Sequence, residues 1–342
     1  MASTLAARTN HKRNEGAERA SASETGALAR NPGLPLDLGL VEAQLVNRSA
    51  VERRAATLPA RRTVKKEWQA AWLLRAIACM DLTTLAGDDT PGTVRRLCAK
   101  ARQPLRADLA EGLGIADLRL RVGAVCVYHN LVPVAVEALA GSGIPVAAVS
   151  TGFPAAQNPL PQKIAEIEAS VAAGASEIDI VISRAAVLTG DWRRLYDEVR
   201  AYRAACGAAH MKTILATGEL GTLTNVARAS QVCMLAGADF IKTSTGKETV
   251  NATLPVGLVM TRAIRDYHEA TGYAVGLKPA GGIRSAKQSL EWLILLYEEL
   301  GERWTHPDLF RLGASGLLTD IERQLEHHLT GHYSAAHRHP MV

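Results

Sequence analysis

The sequence predicts an α/β protein in which eight strand–helix units close into a (β/α)8 TIM barrel that follows an N-terminal extension. Eight apolar, strand-like runs alternate with helical patterns between residues 77 and 333. Glycines that can end a helix precede several of these runs, at Gly141-Ser142, Gly174-Ala175 and Gly237-Ala238. No GxGxxG sequence opens a helix, which disfavours the structural alternative, a doubly wound open sheet.

The N-terminal part of the chain lacks the barrel pattern. The 342 residues exceed the roughly 250 that such a barrel needs, so an extension is expected. Residues 1–35 are rich in Ala, Ser, Arg, Asn and Gly and include the breaker Asn31-Pro32-Gly33. We therefore predict a disordered basic extension at 1–35. The remaining predicted units are an N-terminal helical segment at 36–76, the barrel at 77–333 and a C-terminal tail at 334–342.

Charge and cysteine usage narrow the function class. Residues 1–66 contain 12 Lys and Arg against 6 Asp and Glu, whereas the rest of the chain carries a net charge of −1. No basic stripe interleaved with aromatic residues occurs, so a solvated tail is favoured over nucleic-acid binding. The five cysteines are odd in number and lack CxxC spacing. This usage is typical of reduced thiols in a cytoplasmic protein without a disulfide framework or a zinc site.

Membrane association is not expected either. No run of 18 or more apolar residues occurs, which disfavours a transmembrane helix. The N-terminus lacks the apolar stretch of a secretory signal, and Glu15, Glu18 and Glu24 disfavour a transit peptide.

The elements follow in order along the chain. The predicted strands are Ile77–Leu82, Val122–Tyr128, Val146–Ser150, Glu177–Ile182, Met211–Ala216, Phe240–Ser244, Val275–Pro279 and Leu309–Gly313. The clearest predicted helices are 64–76, Pro161–Ala173, Trp192–Cys206, Thr222–Ala236, Pro255–Thr271, Ala286–Leu300 and Gly316–Leu329.

Several of these strands carry an ionisable residue where a buried strand should be apolar. They are Asp81, Asp179, Lys212, Lys242 and Lys278. A buried lone charge costs several kcal/mol, so these groups should be paired inside the barrel. Three lysines and two aspartates sum to +1, and to zero when one lysine loses its proton. Such a cluster would provide a nucleophilic lysine at neutral pH.

A second pattern predicts phosphate binding. Gly- and Ser-rich turns follow the last three strands, at 244–247, 280–284 and 313–316. Barrels commonly bind phosphate with the loops after strands seven and eight and the N-terminus of a following helix. Gly281 and Gly282 allow backbone N–H groups to approach oxygens closely, and Lys247 and Arg284 would add positive charge.

Taken together, these segments closely resemble deoxyribose-phosphate aldolases. The resemblance runs from about residue 64 to about residue 333 and is closest to the longer, animal-type branch. It rests on Asp81–Leu85, Glu177–Asp179, Thr217–Leu220, Phe240–Lys247, Val250–Thr253 and Gly276–Arg284. It implies a class I aldolase without a metal or other cofactor, which interconverts 2-deoxy-D-ribose 5-phosphate with glyceraldehyde 3-phosphate and acetaldehyde.

The resemblance also implies roles for individual residues. Lys242 would form the Schiff base, Lys278 would perturb it, and Asp179 would shuttle protons with an ordered water. Lys212 and Asp81 would complete the polar network. The implied phosphate site comprises Gly246, Lys247, Gly281, Gly282, Arg284, Ser315 and Gly316, with Cys126 and Thr245 near the site.

Short members of the family end on a tyrosine that acts at the active site, whereas Tyr333 is followed by nine more residues. The expected partner is a small phosphorylated sugar, and we expect a homo-oligomer. Two alternatives remain open, namely another Schiff-base aldolase such as a transaldolase-like enzyme, and a catalytically dead binding protein that uses the basic tail.

Overall fold

The computed structural model describes residues 29–341, and its fold is the predicted (β/α)8 barrel. The strands are β1 Met80–Thr83, β2 Ala124–Tyr128, β3 Val146–Ser150, β4 Glu177–Val181, β5 His210–Ile214, β6 Phe240–Lys242, β7 Gly276–Lys278 and β8 Leu312–Gly313. Each strand from β1 to β6 pairs in parallel with the next one along the chain, and β1 also pairs with β8. Bridge pairs between Leu277 and Phe310 and between Ala280 and Gly313 complete the circle.

Helices surround this barrel and connect its strands. They are α1 Leu38–Glu42, α2 Arg48–Arg61, α3 Lys66–Ala78, α4 Pro91–Arg102, α5 Ala107–Gly112, α6 Val132–Ala138, α7 Leu160–Ala172, α8 Arg184–Leu188, α9 Trp192–Cys206, α10 Leu223–Leu235, α11 Leu254–Thr271, α12 Ala286–Leu300 and α13 Gly316–Thr330. Within residues 29–341, no helix combines the length and the apolar character needed to cross a membrane.

The sequence itself marks where several helices begin. An Asn, Thr, Asp or Ser side chain accepts a hydrogen bond from the backbone N–H three residues later, which satisfies a group that the helix leaves free. These N-cap residues are Asn47, Thr90, Asp191, Thr222 and Ser285. At α12, the Gln288 side chain completes a capping box with Ser285.

The core lies between the barrel and its helices. Side chains of β4 that alternate outward, Ile178 and Ile180, are fully buried there, as is Ile241 of β6. Because side chains alternate across a strand, their neighbours point to the barrel axis. The inward positions on the same strands are those with ionisable residues, so the apolar core surrounds a charged centre.

The strand boundaries differ most from the sequence prediction at the first and last strands. Ile77 and Ala78, predicted in strand one, belong to α3, and the last strand is confined to Leu312–Gly313. Ile77 is fully buried, as the sequence predicted, but it is buried as part of a helix. A short apolar run shows that a segment is buried, but it does not distinguish the end of a buried helix from a strand.

The N-terminal extension also differs from the prediction in part. Residues 1–28 lie outside the described residues, but the segment from Arg30 to Leu34, assigned to the disordered extension, is fixed to the barrel. Asn31 is buried, and its Nδ2 donates to the carbonyl oxygens of Met234 and Ala238 at 2.8 and 2.9 Å. Its Oδ1 accepts from the Tyr267 hydroxyl at 2.9 Å. These contacts lie just before β6, so the segment covers the N-terminal end of the barrel.

The C-terminal tail turns back along α13. Tyr333 is 59% exposed and stacks on His327, in the last turn of that helix, at a ring distance of 4.1 Å. From there the chain returns to the start of α13, where the Thr319 hydroxyl donates to the His339 carbonyl at 3.0 Å. His339 is buried and contacts Glu326 at 3.0 Å.

Candidate active site

A cluster of buried charged side chains fills the centre of the barrel. All five residues that the strand pattern singled out belong to it, and each is 0 to 3% exposed. They are Asp81, Asp179, Lys212, Lys242 and Lys278. Strand register brings them together, because Asp179 pairs with Lys212 across β4 and β5, and Lys242 pairs with Lys278 across β6 and β7.

Asp179 is the centre of this cluster. Its Oδ2 accepts hydrogen bonds from Lys242 Nζ and Lys278 Nζ, both at 2.7 Å. Its Oδ1 accepts from Lys212 Nζ at 2.8 Å. Because two ammonium groups share one oxygen, their nitrogens lie no further apart than twice that bond length. Asp179 thus keeps the amino groups of Lys242 and Lys278 close to each other.

Two further residues extend the cluster towards the N-terminal end of the barrel. Glu177 Oε2 lies 2.6 Å from Lys212 Nζ. Arg311, immediately before β8, contacts Asp81 Oδ1 at 2.7 Å and Glu177 Oε1 at 2.8 Å. The sequence interpretation did not use this pair, although both lie within predicted strands. Glu177 is two residues before Asp179 and therefore points to the same face, and Arg311 interrupts the apolar run of the last strand.

The enlarged cluster keeps the predicted charge balance. Four cations, which are Lys212, Lys242, Lys278 and Arg311, surround the carboxylates of Asp81, Glu177 and Asp179. The sum is +1, and it becomes zero when one lysine is neutral. Burying a net charge is costly, so the arrangement favours the loss of one proton.

The local fields indicate which lysine loses that proton. Burial lowers the pKa of Lys242, and the neighbouring Lys278 lowers it further, against the opposing effect of Asp179. Burial would also lower the pKa of Lys278, but Asp179 and Asp81 outweigh it and raise that pKa above its usual value. Asp179 itself has a pKa well below the ordinary range, because Lys212, Lys242 and Lys278 outweigh its burial.

An open cavity of about 550 Å³ lies above the cluster at the C-terminal end of the strands. Lys242 lines it, whereas Lys278, Asp179, Lys212 and Asp81 are not among its lining residues. Active sites of (β/α)8 barrels lie at this end. The amine with the lowered pKa is thus the member of the cluster that a substrate in the cavity would meet.

The predicted phosphate residues line the same cavity. They are Gly246, Lys247, Gly281, Gly282, Arg284, Ser315 and Gly316, and Thr245 lines it as well. Gly281 has a φ of +82°, and a Cβ there would lie 2.7 Å from the Asn251 side chain, so a larger residue does not fit. The loops after β6, β7 and β8 therefore converge on the cavity that Lys242 lines.

The hydroxyl of Ser315 has other partners. It donates to the Thr83 carbonyl at 2.6 Å and accepts from the Thr83 N–H at 2.9 Å, which ties the loop after β8 to the end of β1. In this conformation the hydroxyl is engaged with the backbone. Ser315 can still contribute to anion binding through its position at the start of α13, where free N–H groups and the helix dipole favour negative charge.

Cys126 and Tyr333 lie in different surroundings. Cys126 is fully buried on β2 with Ala147 and Val149, and burial raises the pKa of its thiol. Strand register brings it close to the cluster, because it pairs with Ala147 of β3, whose partner on β4 is Glu177. Tyr333 follows the C-terminal end of α13, whose N-terminus lines the cavity, so the length of that helix, about 20 Å, separates the two.

In the part of the chain from residue 29 to 341, no three His, Cys, Asp or Glu side chains converge so that they could hold a metal ion.

This chain is similar to a known family of aldolases and to individual members of it. The profile of a family described as DeoC/LacD family aldolase matches residues 75–294. Human deoxyribose-phosphate aldolase is 60% identical over 315 residues, which cover 92% of this chain and 99% of the human protein. The enzyme of that name from Mus musculus is 61% identical over 311 residues, which cover 90% of this chain and 98% of the mouse protein.

Solved structures show the same fold. The tetrameric deoxyribose phosphate aldolase from Aeropyrum pernix superposes with a TM-score of 0.56 at 21% identity, covering 82% of this chain and 99% of its own. The aldolase QR15 gives a TM-score of 0.58 at 23% identity, covering 74% of this chain and 97% of its own.

Proposed function

This chain belongs to the DeoC/LacD aldolase family, and we propose that it is a deoxyribose-phosphate aldolase. The reaction is the reversible cleavage of 2-deoxy-D-ribose 5-phosphate to D-glyceraldehyde 3-phosphate and acetaldehyde. One observation carries the proposal beyond family membership. Lys242 and three Gly- and Ser-rich loops line the same cavity, so an amine of lowered pKa and an anion site share one space.

The first step is the formation of a Schiff base at Lys242. Its neutral Nζ attacks the C1 aldehyde of the open-chain sugar, and the resulting carbinolamine takes up one proton and loses water to give a protonated imine. Only an unprotonated amine can attack. Burial and the charge of Lys278, which lower the pKa of Lys242, therefore contribute directly to the rate of this step.

The imine then draws electrons from the bond that breaks. A base removes the proton of the C3 hydroxyl, the C2–C3 bond breaks, and the electron pair moves through C2 to the imine nitrogen. D-glyceraldehyde 3-phosphate leaves, and the enamine that remains takes up a proton at C2 before water releases acetaldehyde. We assign these proton transfers to Asp179 acting with an ordered water, because Asp179 Oδ2 lies 2.7 Å from Lys242 Nζ.

The other cluster residues hold this pair in place. Lys278 remains a cation and keeps Asp179 ionised, while Lys212 bonds the second Asp179 oxygen at 2.8 Å. Asp81 binds Lys278 from below. The backbone N–H groups of Gly246, Gly281, Gly282 and Gly316, together with Lys247 and Arg284, would bind the 5-phosphate.

Borohydride trapping tests the proposal. Wild-type protein incubated with acetaldehyde or deoxyribose 5-phosphate and then reduced should lose activity irreversibly, with the adduct on Lys242. Peptide mapping that placed the adduct on Lys278 or Lys212 would contradict the assignment. A transaldolase-like enzyme would not release acetaldehyde from deoxyribose 5-phosphate, so the product distinguishes that alternative.

The requirement for a metal ion can be tested by measuring aldolase activity after chelation. Activity should survive exhaustive treatment with a chelator, because every role above is assigned to a side chain or a backbone group. Activity that disappeared and returned with zinc would require a different mechanism.

We also propose a cytoplasmic homo-oligomer. All five cysteines are buried and unpaired, which is typical of a reducing compartment. The related Aeropyrum pernix enzyme is described as tetrameric. Light scattering on the purified chain would measure its assembly state directly, and a monomer at micromolar concentration would contradict the expectation.

A further inference from the structure

The loop after β6 already holds an anion of its own. The Glu248 carboxylate accepts hydrogen bonds from the backbone N–H of Thr245, at 3.0 and 3.1 Å to its two oxygens, and from that of Gly246 at 3.1 Å. Gly246 has a φ of +88°, and Lys247 N donates back to the Thr245 hydroxyl at 3.0 Å. Successive N–H groups that point at one carboxylate form an anion-binding concavity.

This concavity belongs to the cavity of the active site. Thr245, Gly246 and Lys247 all line it beside Lys242. Gly246 also lies against the loop after β7, since a Cβ built on it would be 3.9 Å from the Gly281 Cα. Glu248 therefore occupies backbone N–H groups in the same loop whose N–H groups the proposed function assigns to the substrate's phosphate.

Among residues 29–341, no Lys, Arg or His nitrogen forms an ion pair with Glu248. Lys247 and Arg284 line the cavity and are exposed. A sugar phosphate carries nearly two negative charges and more acceptor oxygens than a carboxylate, so it competes well for the same N–H groups. The two anions cannot occupy those groups together.

We propose that Glu248 is an internal competitor for the phosphate group, occupying the N–H groups of Thr245 and Gly246 until the substrate displaces it. This inference rests on the proposed function and deepens it. Glu248 lowers the affinity of the empty enzyme for any small anion. It also returns to the loop as the product's phosphate leaves, which favours product release. A neutral sugar does not need these donors, so its binding does not displace Glu248.

The alternative role is a scaffold, in which Glu248 only stabilises the loop. The two roles predict different changes in phosphate affinity for one substitution. Glu248→Gln keeps the size of the side chain and an oxygen that can accept from the backbone, but it removes the charge. Internal competition predicts tighter phosphate binding in this variant, whereas a scaffold predicts weaker or unchanged binding.

The experiment compares wild type, Glu248→Gln and a control, Glu168→Gln. Glu168 is exposed on α7, so its substitution makes the same change in net charge away from the loop. In Glu248→Gln, the Ki for inorganic phosphate as a competitive inhibitor and the KM for deoxyribose 5-phosphate should each fall by about fivefold. The kcat/KM for unphosphorylated 2-deoxyribose should stay the same, and the control should match wild type throughout.

A third variant keeps the test decisive if the amide perturbs the loop. Glu248→Asp retains the charge on a shorter side chain that cannot reach both N–H groups, so its Ki for phosphate should fall less than in Glu248→Gln. A Ki that rises or stays constant in both variants overturns the inference, as does a parallel loss of activity on both sugars. Failure of the proposed function looks different, because wild type itself would then neither cleave deoxyribose 5-phosphate nor form an adduct on Lys242.

Discussion

Replacing Lys278 with methionine tests how Lys242 becomes a nucleophile. The substitution keeps a chain of similar length inside the barrel but removes the positive charge that shares Asp179 Oδ2 with Lys242. In wild type, that charge lowers the pKa of Lys242. Its removal should therefore raise the pKa, and the fraction of free amine at neutral pH should fall.

The size of the effect follows from the geometry. The two nitrogens are each 2.7 Å from the same oxygen, so we take a separation of about 5 Å. At an effective dielectric near 20, two unit charges at that distance repel by about 3 kcal/mol, or roughly two pKa units. The free amine at pH 7 would then fall by about 100-fold, and Schiff-base formation would fall with it.

The assay is the rate of Schiff-base formation as a function of pH. Lys278→Met should be strongly impaired at pH 7 and recover as the pH rises above the new pKa, since the amine is then unprotonated. Lys278→Arg keeps the charge and should retain the low apparent pKa even if its shape disturbs positioning. Lys287→Met, on the exposed face of α12, removes a lysine elsewhere and should behave as wild type.

One result would refute this reasoning. If Lys278→Met is equally impaired at every pH, with an unchanged apparent pKa, then Lys278 acts by proton transfer or positioning and not by its charge. The apparent pKa measured in the wild type belongs to the coupled cluster, because the two amines and Asp179 titrate together there.

Two predictions concern the stability of the barrel. Arg311→Met should lower the free energy of unfolding by about 3–5 kcal/mol in urea titrations, because the buried carboxylates of Asp81 and Glu177 each lose one of their cations. Adding Glu177→Gln should recover part of the loss, and a variant as stable as wild type would contradict the ion-pair account. Asn31→Ala should cost about 1–3 kcal/mol by the same measurement, because buried carbonyl groups lose their donor. Deletion of residues 1–28, which keeps Asn31, should leave kcat/KM within a few-fold of wild type, and a large loss of turnover would mean that the deleted residues complete the active site.

The charged centre of the barrel could be predicted because it breaks a strong rule. A strand that is buried on both faces should be apolar, so Lys242 between Ile241 and Thr243 is conspicuous, and strict alternation assigns it to the inside. The same rule applied to Glu177 and Arg311. Glu177 was missed because it begins its predicted strand, where solvent exposure is the simpler expectation. Arg311 lies in the middle of the predicted last strand, so the same rule could have identified it.

Other features depend on contacts that no local pattern encodes. Asn31 is a turn former in sequence, and its burial depends on carbonyl groups some two hundred residues away. Glu248 lies in a loop, and its hydrogen bonds follow from the positive φ of Gly246. Tertiary contacts decide the burial of Asn31, and the conformation of the loop decides the hydrogen bonds of Glu248. The sequence shows only that each residue interrupts a helix or strand pattern.

The ion cluster also constrains how the barrel can fold. Its members come from β1, β4, β5, β6 and β7 and from the segment before β8, so any fragment of the barrel contains charges whose partners are missing. Such a fragment would have to keep these groups in water and could not close around them. Half-barrels are therefore poor intermediates, and the eight strands should assemble in one cooperative transition. The ion cluster that supports catalysis therefore also requires that all the strands of the barrel be present before it can form.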